Sequence, residues 1–168
     1  DCVKLALDVI CTEMPDLVIS GINAGVKTGV NINYSGTVGA AREAAINGIP
    51  AIAVSIERGT TMDYTGLASF VDAVAVNSLL KKIAKRHILN INAPAMELNK
   101  IKGMKVTRQA SNNLALKFDK RDDPRNEAYF WYADMESVEH DKDSDNDAIA
   151  NQYISITPLK CDMTSYDM

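Results

Sequence analysis

The residues best suited to chemistry cluster between Asp16 and Ala45. An apolar run, Leu17-Val18-Ile19, empties into Ser20-Gly21-Ile22-Asn23-Ala24-Gly25. Ser35-Gly36-Thr37 then opens an alanine-rich segment containing Ala40, Ala41, Ala44 and Ala45. A helix start presents free N–H groups and the positive end of its dipole, so it attracts phosphate or carboxylate. Gly36 lets the backbone approach an anion closely, and the Ser35 and Thr37 hydroxyls can donate hydrogen bonds to it. Plainer roles stand beside these. Ser and Thr cap helices, and Asn after Gly fills turns. Residue type proposes an anion site here and leaves simple capping open.

Other reactive side chains are less ordered. Cys2, Cys11 and Cys161 are odd in number and lack the spacing of a metal clip. They read as buried free thiols. Reduced thiols, with no secretory-signal pattern, point to the cytoplasm. His87 and His140 read as structural or solvated, and Lys27 as a surface lysine within reach of a phosphate.

A site of this kind needs strand ends and helix starts, and the sequence supplies them. Val3, Leu5, Ala6, Val9 and Ile10 predict a helix over 2–14, with Asp1 as N-cap and Pro15 as the stop. Leu17-Val18-Ile19 and Ala51 to Ile56 are continuous apolar runs of the kind buried in parallel sheets. A helix from Ser35 ends at Asn47-Gly48. A longer one spans 64–85, with Leu67, Phe70, Val71, Val74 and Leu79 inward, and a strand at Ile88 to Asn92 closes at Pro94. This alternation predicts an α/β fold with a mainly parallel sheet.

The pattern changes after Pro94. Met104 to Arg108, Leu114 to Phe118 and Tyr129 to Tyr132 are strand candidates, with 119–126 as a turn between the last two, together a β-hairpin. His140 to Asp147 reads as a solvated acidic loop. Tyr153 to Pro158 reads as a last strand, returning to the sheet.

Composition bounds the function classes. A chain of 168 residues, 46% hydrophobic and 24% charged, can build one ordinary domain. No apolar run reaches the roughly 20 residues of a membrane span. The net charge of −4, from 18 basic and 22 acidic residues, argues against a nucleic-acid groove. A small phosphate ligand needs only a local site and stays open.

The motif pair Ser20-Gly21-Ile22-Asn23-Ala24-Gly25 and Tyr34-Ser35-Gly36-Thr37-Val38-Gly39-Ala40-Ala41 resembles the SurE family (survival protein E). So do Asp1 to Ala6, Gly48 to Ser55, Leu89 to Asn92 with Pro94, Val106 to Gln109, Asp122 to Trp131, and Ser144-Asp145 through Leu159. The resemblance runs in order along the whole chain. It implies a Rossmann-like three-layer α/β domain with a β-hairpin arm and a C-terminal strand. That single SurE-like domain covers 1–168, with an α/β core at 1–94 and a β-rich arm and C-terminal extension at 95–168. It also implies a metal-dependent 5'-nucleotidase, a phosphatase of nucleoside monophosphates. Asn23 would be a ligand of a divalent metal through its side-chain oxygen, and a hard oxygen suits Mg, Mn or Ca. Gly25, Ser35, Gly36 and Thr37 would bind phosphate or substrate. A homodimer or homotetramer formed through the C-terminal arm is implied as well.

The departures carry expectations too. The family's other metal ligands, a consecutive Asp-Asp pair and a Ser, match no position here. Asp122-Asp123 falls in the hairpin turn, so no catalytic residue is assigned in this chain. Lys27 stands where the family often has Asn, and Asn31 where it often has an acid. The chain is expected to lack an N-terminal segment and to be inactive alone. A phosphate- or nucleotide-binding module without catalysis is the alternative.

Overall fold

A computed structural model describes residues 1–75, 83, 86–111, 118–132 and 141–166. Its centre is a five-stranded sheet in the order β1-β2-β3-β7-β4. β1 (Val18–Ala24), β2 (Ala51–Ile56) and β3 (His87–Ala93) run parallel. β7 (Ile154–Lys160) pairs antiparallel with β3, and β4 (Met104–Val106) pairs parallel with β7. The late strand does return to the sheet, beside the centre rather than at its edge.

Two apolar clusters place this sheet between helices. Every residue of β2 is buried. Ile52, Val54 and Ile56 join Leu89, Ile91, Ile154 and Ile156 on one face, covered by Leu67 and Val71 of α3 (Tyr64–Val74). Ala51, Ala53 and Ile88 line the other face, against Val38, Ala41, Ala44 and Ala45 of α2 (Gly36–Ile46). Small residues on both sides explain why an alanine-rich helix belongs there, since close packing fills the layer without bulky side chains. Asp63 fixes the start of α3, accepting from Gly66 N–H at 2.8 Å and Leu98 N–H at 3.0 Å. The predicted residues 76–82 and 84–85 of that helix lie outside the described residues, as do residues 114–117 of the strand candidate Leu114 to Phe118.

Several expectations need correction. The first helix is shorter than 2–14: α1 (Cys2–Leu5) continues as a π-type turn over Ala6–Ile10. Only its Val3 and Leu7 pack toward α2, while Val9 and Ile10 are exposed. Cys2 and Cys11 are exposed on this surface element, not buried, and Cys161 is half-buried. The hairpin strands are β5 (Phe118–Asp122) and β6 (Ala128–Tyr132), paired antiparallel. Residues 119–122, expected in the turn, are therefore strand. Asp123 Oδ1 accepts from the N–H groups of Arg125 and Glu127, so the turn tightens around one side chain. The stretch expected as a solvated loop instead holds a buried helix start, α4 (Asp145–Ala150), with Ser144 as its cap. Among the described residues no helix is long and apolar enough to cross a membrane.

Candidate phosphate and metal site

β1, α2 and β2 form one strand–helix–strand unit whose strands are parallel. A helix joining two parallel strands must run back along the sheet, so α2 starts beyond their C-terminal ends. Asn23, near the end of β1, and Ser35-Gly36-Thr37, at the start of α2, thus share one edge of the sheet. Open α/β sheets bind their ligands at this edge.

Each predicted residue has a definite environment. The β1–β2 register shifts between Ser20 and Asn23, and Asn23 lies opposite Ser55. Gly21, at that shift, has φ +138°, and a Cβ there would run into the Val54 carbonyl oxygen. Asn23 Nδ2 donates to the Gly25 carbonyl at 2.6 Å. This fixes the carboxamide with its oxygen, the metal-seeking atom, free of any donor among the described residues. Gly25 has φ +112°, and its N–H donates to the Ile56 carbonyl at 2.7 Å. Arg58 Nε donates to the Ala24 carbonyl at 3.2 Å, which sets a guanidinium beside the loop.

Ser35 fulfils the plainer role: its Oγ accepts from Val38 N–H at 3.1 Å and caps α2. Capping does not consume the anion-binding groups. Gly36 and Thr37 are the first helical residues, so their N–H groups have no partner within the helix. Gly36 is exposed, and a Cβ built on it would meet no atom within 4 Å. No acidic residue stands in the first turn of α2, whereas α4 carries Asp145 and Asp147 in its first turn.

The loop joining Asn23 to Ser35 is held by side chains that sequence reasoning left without a role. Asn90 and Asn92, fully buried on β3, face the same side of the sheet. Asn92 Oδ1 accepts from Lys27 N–H at 2.7 Å. The Lys27 carbonyl accepts from Asn90 Nδ2 at 2.7 Å and Asn92 Nδ2 at 3.2 Å. Gln109 Nε2 donates to the Gly29 carbonyl at 2.8 Å. Asp145, fully buried, accepts from Gly29 N–H at 2.9 Å, Ala110 N–H at 3.0 Å and Asn146 N–H at 2.9 Å. Burial pushes the Asp145 carboxyl above its ordinary value, against the lowering effect of these donors. The signal for the asparagines was present. Two polar residues at i and i+2 in an apolar strand mark one buried face, and buried polar groups require partners.

Asn23 offers one neutral oxygen. Among the described residues no group of three or more His, Cys, Asp or Glu is placed to hold an ion. Asp122 closes β5 and Asp123 sits in the hairpin turn, whose backbone it ties. The described residues thus supply one ligand and do not by themselves fit a divalent cation.

Comparison with known proteins gives the family and the fold. The survival protein SurE family matches residues 1–115. The chain belongs to the SurE family. A protein named 5'-nucleotidase SurE from Syntrophobacter fumaroxidans is 40% identical over 174 residues, covering all of this chain and 68% of that protein. One of the same name from Syntrophus aciditrophicus is 44% identical over 170 residues, covering 99% of this chain and 64% of its own. The crystal structure of the SurE protein from Aquifex aeolicus superposes with a TM-score of 0.81 at 38% identity, over 99% of this chain and 68% of that one. The chain therefore spans about two thirds of the length of the relatives it matches. The SurE fold holds throughout: a mostly parallel sheet between helices, with an antiparallel hairpin.

Proposed function

We propose that this chain serves a 5'-nucleotidase, hydrolysing nucleoside monophosphates to nucleoside and phosphate, for which a divalent metal would supply the activated water. The observation that carries the reading is the juxtaposition at one sheet edge of a fixed Asn23 carboxamide and the exposed, acid-free start of α2. The names of the SurE relatives support it.

In this reading the N–H groups of Gly36 and Thr37 hold the phosphate oxygens. The α2 dipole and the neighbouring Arg58 favour their charge. Gly25 keeps the turn narrow enough for Asn23 to be oriented by its own backbone. A divalent ion (Mg, Mn or Ca), when bound with Asn23 as one ligand, would supply an acidified water and charge neutralisation at phosphorus. The proposal extends to a cytoplasmic setting and to a homodimer or homotetramer formed through the hairpin arm. The exposed Phe118, Phe130 and Trp131 favour such an arm contact.

A second reading is favoured by one observation. The one neutral ligand that Asn23 offers among the described residues suits a phosphate- or nucleotide-binding module without hydrolysis. Phosphate release from AMP, with Mg or Mn and with EDTA, separates the two. Turnover that needs the metal and disappears in Asn23→Ala supports the nucleotidase. Binding of AMP without turnover supports the module for this chain. No binding and no turnover defeats both.

A further inference from the structure

Asp145 presents an unusual combination. It is a fully buried carboxylate whose described partners are all backbone N–H groups, drawn from three separate stretches of chain: Gly29, Ala110 and its own helix start. Desolvating a carboxylate is costly unless hydrogen bonds compensate it. Here the compensation comes partly from the loop between β1 and α2. Gly29 is held from both sides, its N–H by Asp145 and its carbonyl by Gln109. It has φ +53° and begins the short helical turn Gly29–Tyr34, which ends directly at Ser35. The turn runs through the Ser35 cap into α2 and is tied by Asn31 N–H to the Thr28 carbonyl and Ser35 N–H to the Ile32 carbonyl, so the place of Gly29 bears on where α2 begins.

We infer that Asp145, acting through the Gly29 N–H, is a positioning residue for the α2 N-terminus and so for the bound phosphate. This rests on the phosphate site proposed above. Asp145 touches no substrate atom. It sets the loop whose far end presents Gly36 and Thr37, and Gln109 assists from the carbonyl side. The prediction is specific to one oxygen. Asp145→Asn keeps the size and an acceptor for Ala110 and Asn146. It replaces Oδ2 with an NH₂ group, which opposes the Gly29 N–H donor to donor.

The test is a titration of the 168-residue chain with AMP, followed through the backbone amide resonances of Gly36 and Thr37, with the Gly29 amide as an internal reporter. Asp145→Asn is expected to move the Gly29 amide upfield and weaken AMP about tenfold, as loss of an orienting partner behind a ligand-contacting group typically does. Ser144→Ala is the control. It removes the α4 cap, whose Oγ accepts from Asp147 N–H at 3.2 Å, without touching Gly29. It is expected to lower the melting temperature and leave AMP affinity unchanged. A role in stability alone would move affinity in neither variant. If Asp145→Asn does not fold, Gln109→Leu releases the other side of Gly29 and is expected to weaken AMP in the same direction, by less. Wild-type binding with unaltered affinity in the folded variants overturns the inference. A wild-type chain in which AMP moves neither Gly36 nor Thr37 overturns the phosphate site itself.

Discussion

The loop over 24–35 and the hairpin over 118–132 are both non-core segments, yet they are stabilised in opposite ways. Side chains from other elements grip the loop: Asn90 and Asn92, buried on β3, hold both backbone groups of Lys27, and the buried Asp145 of α4 and the half-buried Gln109 hold both of Gly29. The hairpin forms its own two-stranded sheet and leaves Phe118, Phe130 and Trp131 more than half exposed. An isolated hairpin is marginal in water, and large exposed aromatics mark a contact surface. The segment gripped by polar groups is thus built to hold a position. The segment with exposed aromatics is the one for which we propose a contact with another surface. The arm's root, where Ser111 N–H and Oγ–H donate to Asp141 at 3.0 and 2.6 Å, adjoins the residues that grip the loop.

Substitutions can break this contrast. The largest effect is expected at Gly21, where alanine meets both a positive φ and the Val54 carbonyl. Gly21→Ala should cost about 3 kcal/mol, read by chemical denaturation. Asn92→Ala leaves the Lys27 N–H without its acceptor and should cost about 2 kcal/mol, with weaker AMP binding. Ser35→Ala removes a cap and should cost about 1 kcal/mol, while Ser35→Gly costs only a few tenths. If AMP affinity follows the cap, Ser35 acts through α2. If Ser35→Gly also loses affinity at nearly unchanged stability, the hydroxyl touches the phosphate. In the arm, Phe130→Ser should change stability by no more than about 0.5 kcal/mol. Sedimentation should show any concentration-dependent association lost in that variant.

The two regions also differ in the sign of their pH response. Burial raises the Asp145 carboxyl, so folding stability from this group is highest below the unfolded value of 3.8 and falls as pH climbs through the raised one. At the arm's root, Ser111 hydrogen bonds, assisted by Arg108, hold Asp141 below its ordinary value. Its stabilisation is present above 3.8 and is lost as pH falls. Denaturation across pH should show Asp145→Asn removing the first slope and Asp141→Asn the second.

Much of this was legible in the sequence. The apolar runs of β2 and β3 and the alanines of α2 fix the parallel layers, because fully buried strands and close-packed helices leave that composition. Asn23 and Ser35-Gly36-Thr37 fall at the sheet edge as expected from strand–helix order. What was not legible is what holds them. Asp145 sits in an acidic stretch, Asp141-Lys142-Asp143-Ser144-Asp145, whose composition reads as solvated loop. Its burial depends on N–H donors more than 30 and 100 residues away in sequence, at Ala110 and Gly29. The exposure of Cys2 and Cys11 escaped for a related reason. An apolar period shows that a face exists, but it does not show how much of that face packs against α2.

The central claim is that Asn23 and the α2 start share one phosphate site, where Asn23 would give a divalent ion no more than one of its ligands. The most direct measurement is an amide-resonance titration with AMP, with and without Mg, on the wild-type chain and Asn23→Ala. The account predicts shifts centred on Gly36 and Thr37 that are weakened in Asn23→Ala, with Mg adding little where Asn23 is the one ligand. Shifts that never reach Gly36 and Thr37, or that are the same in Asn23→Ala, would contradict it.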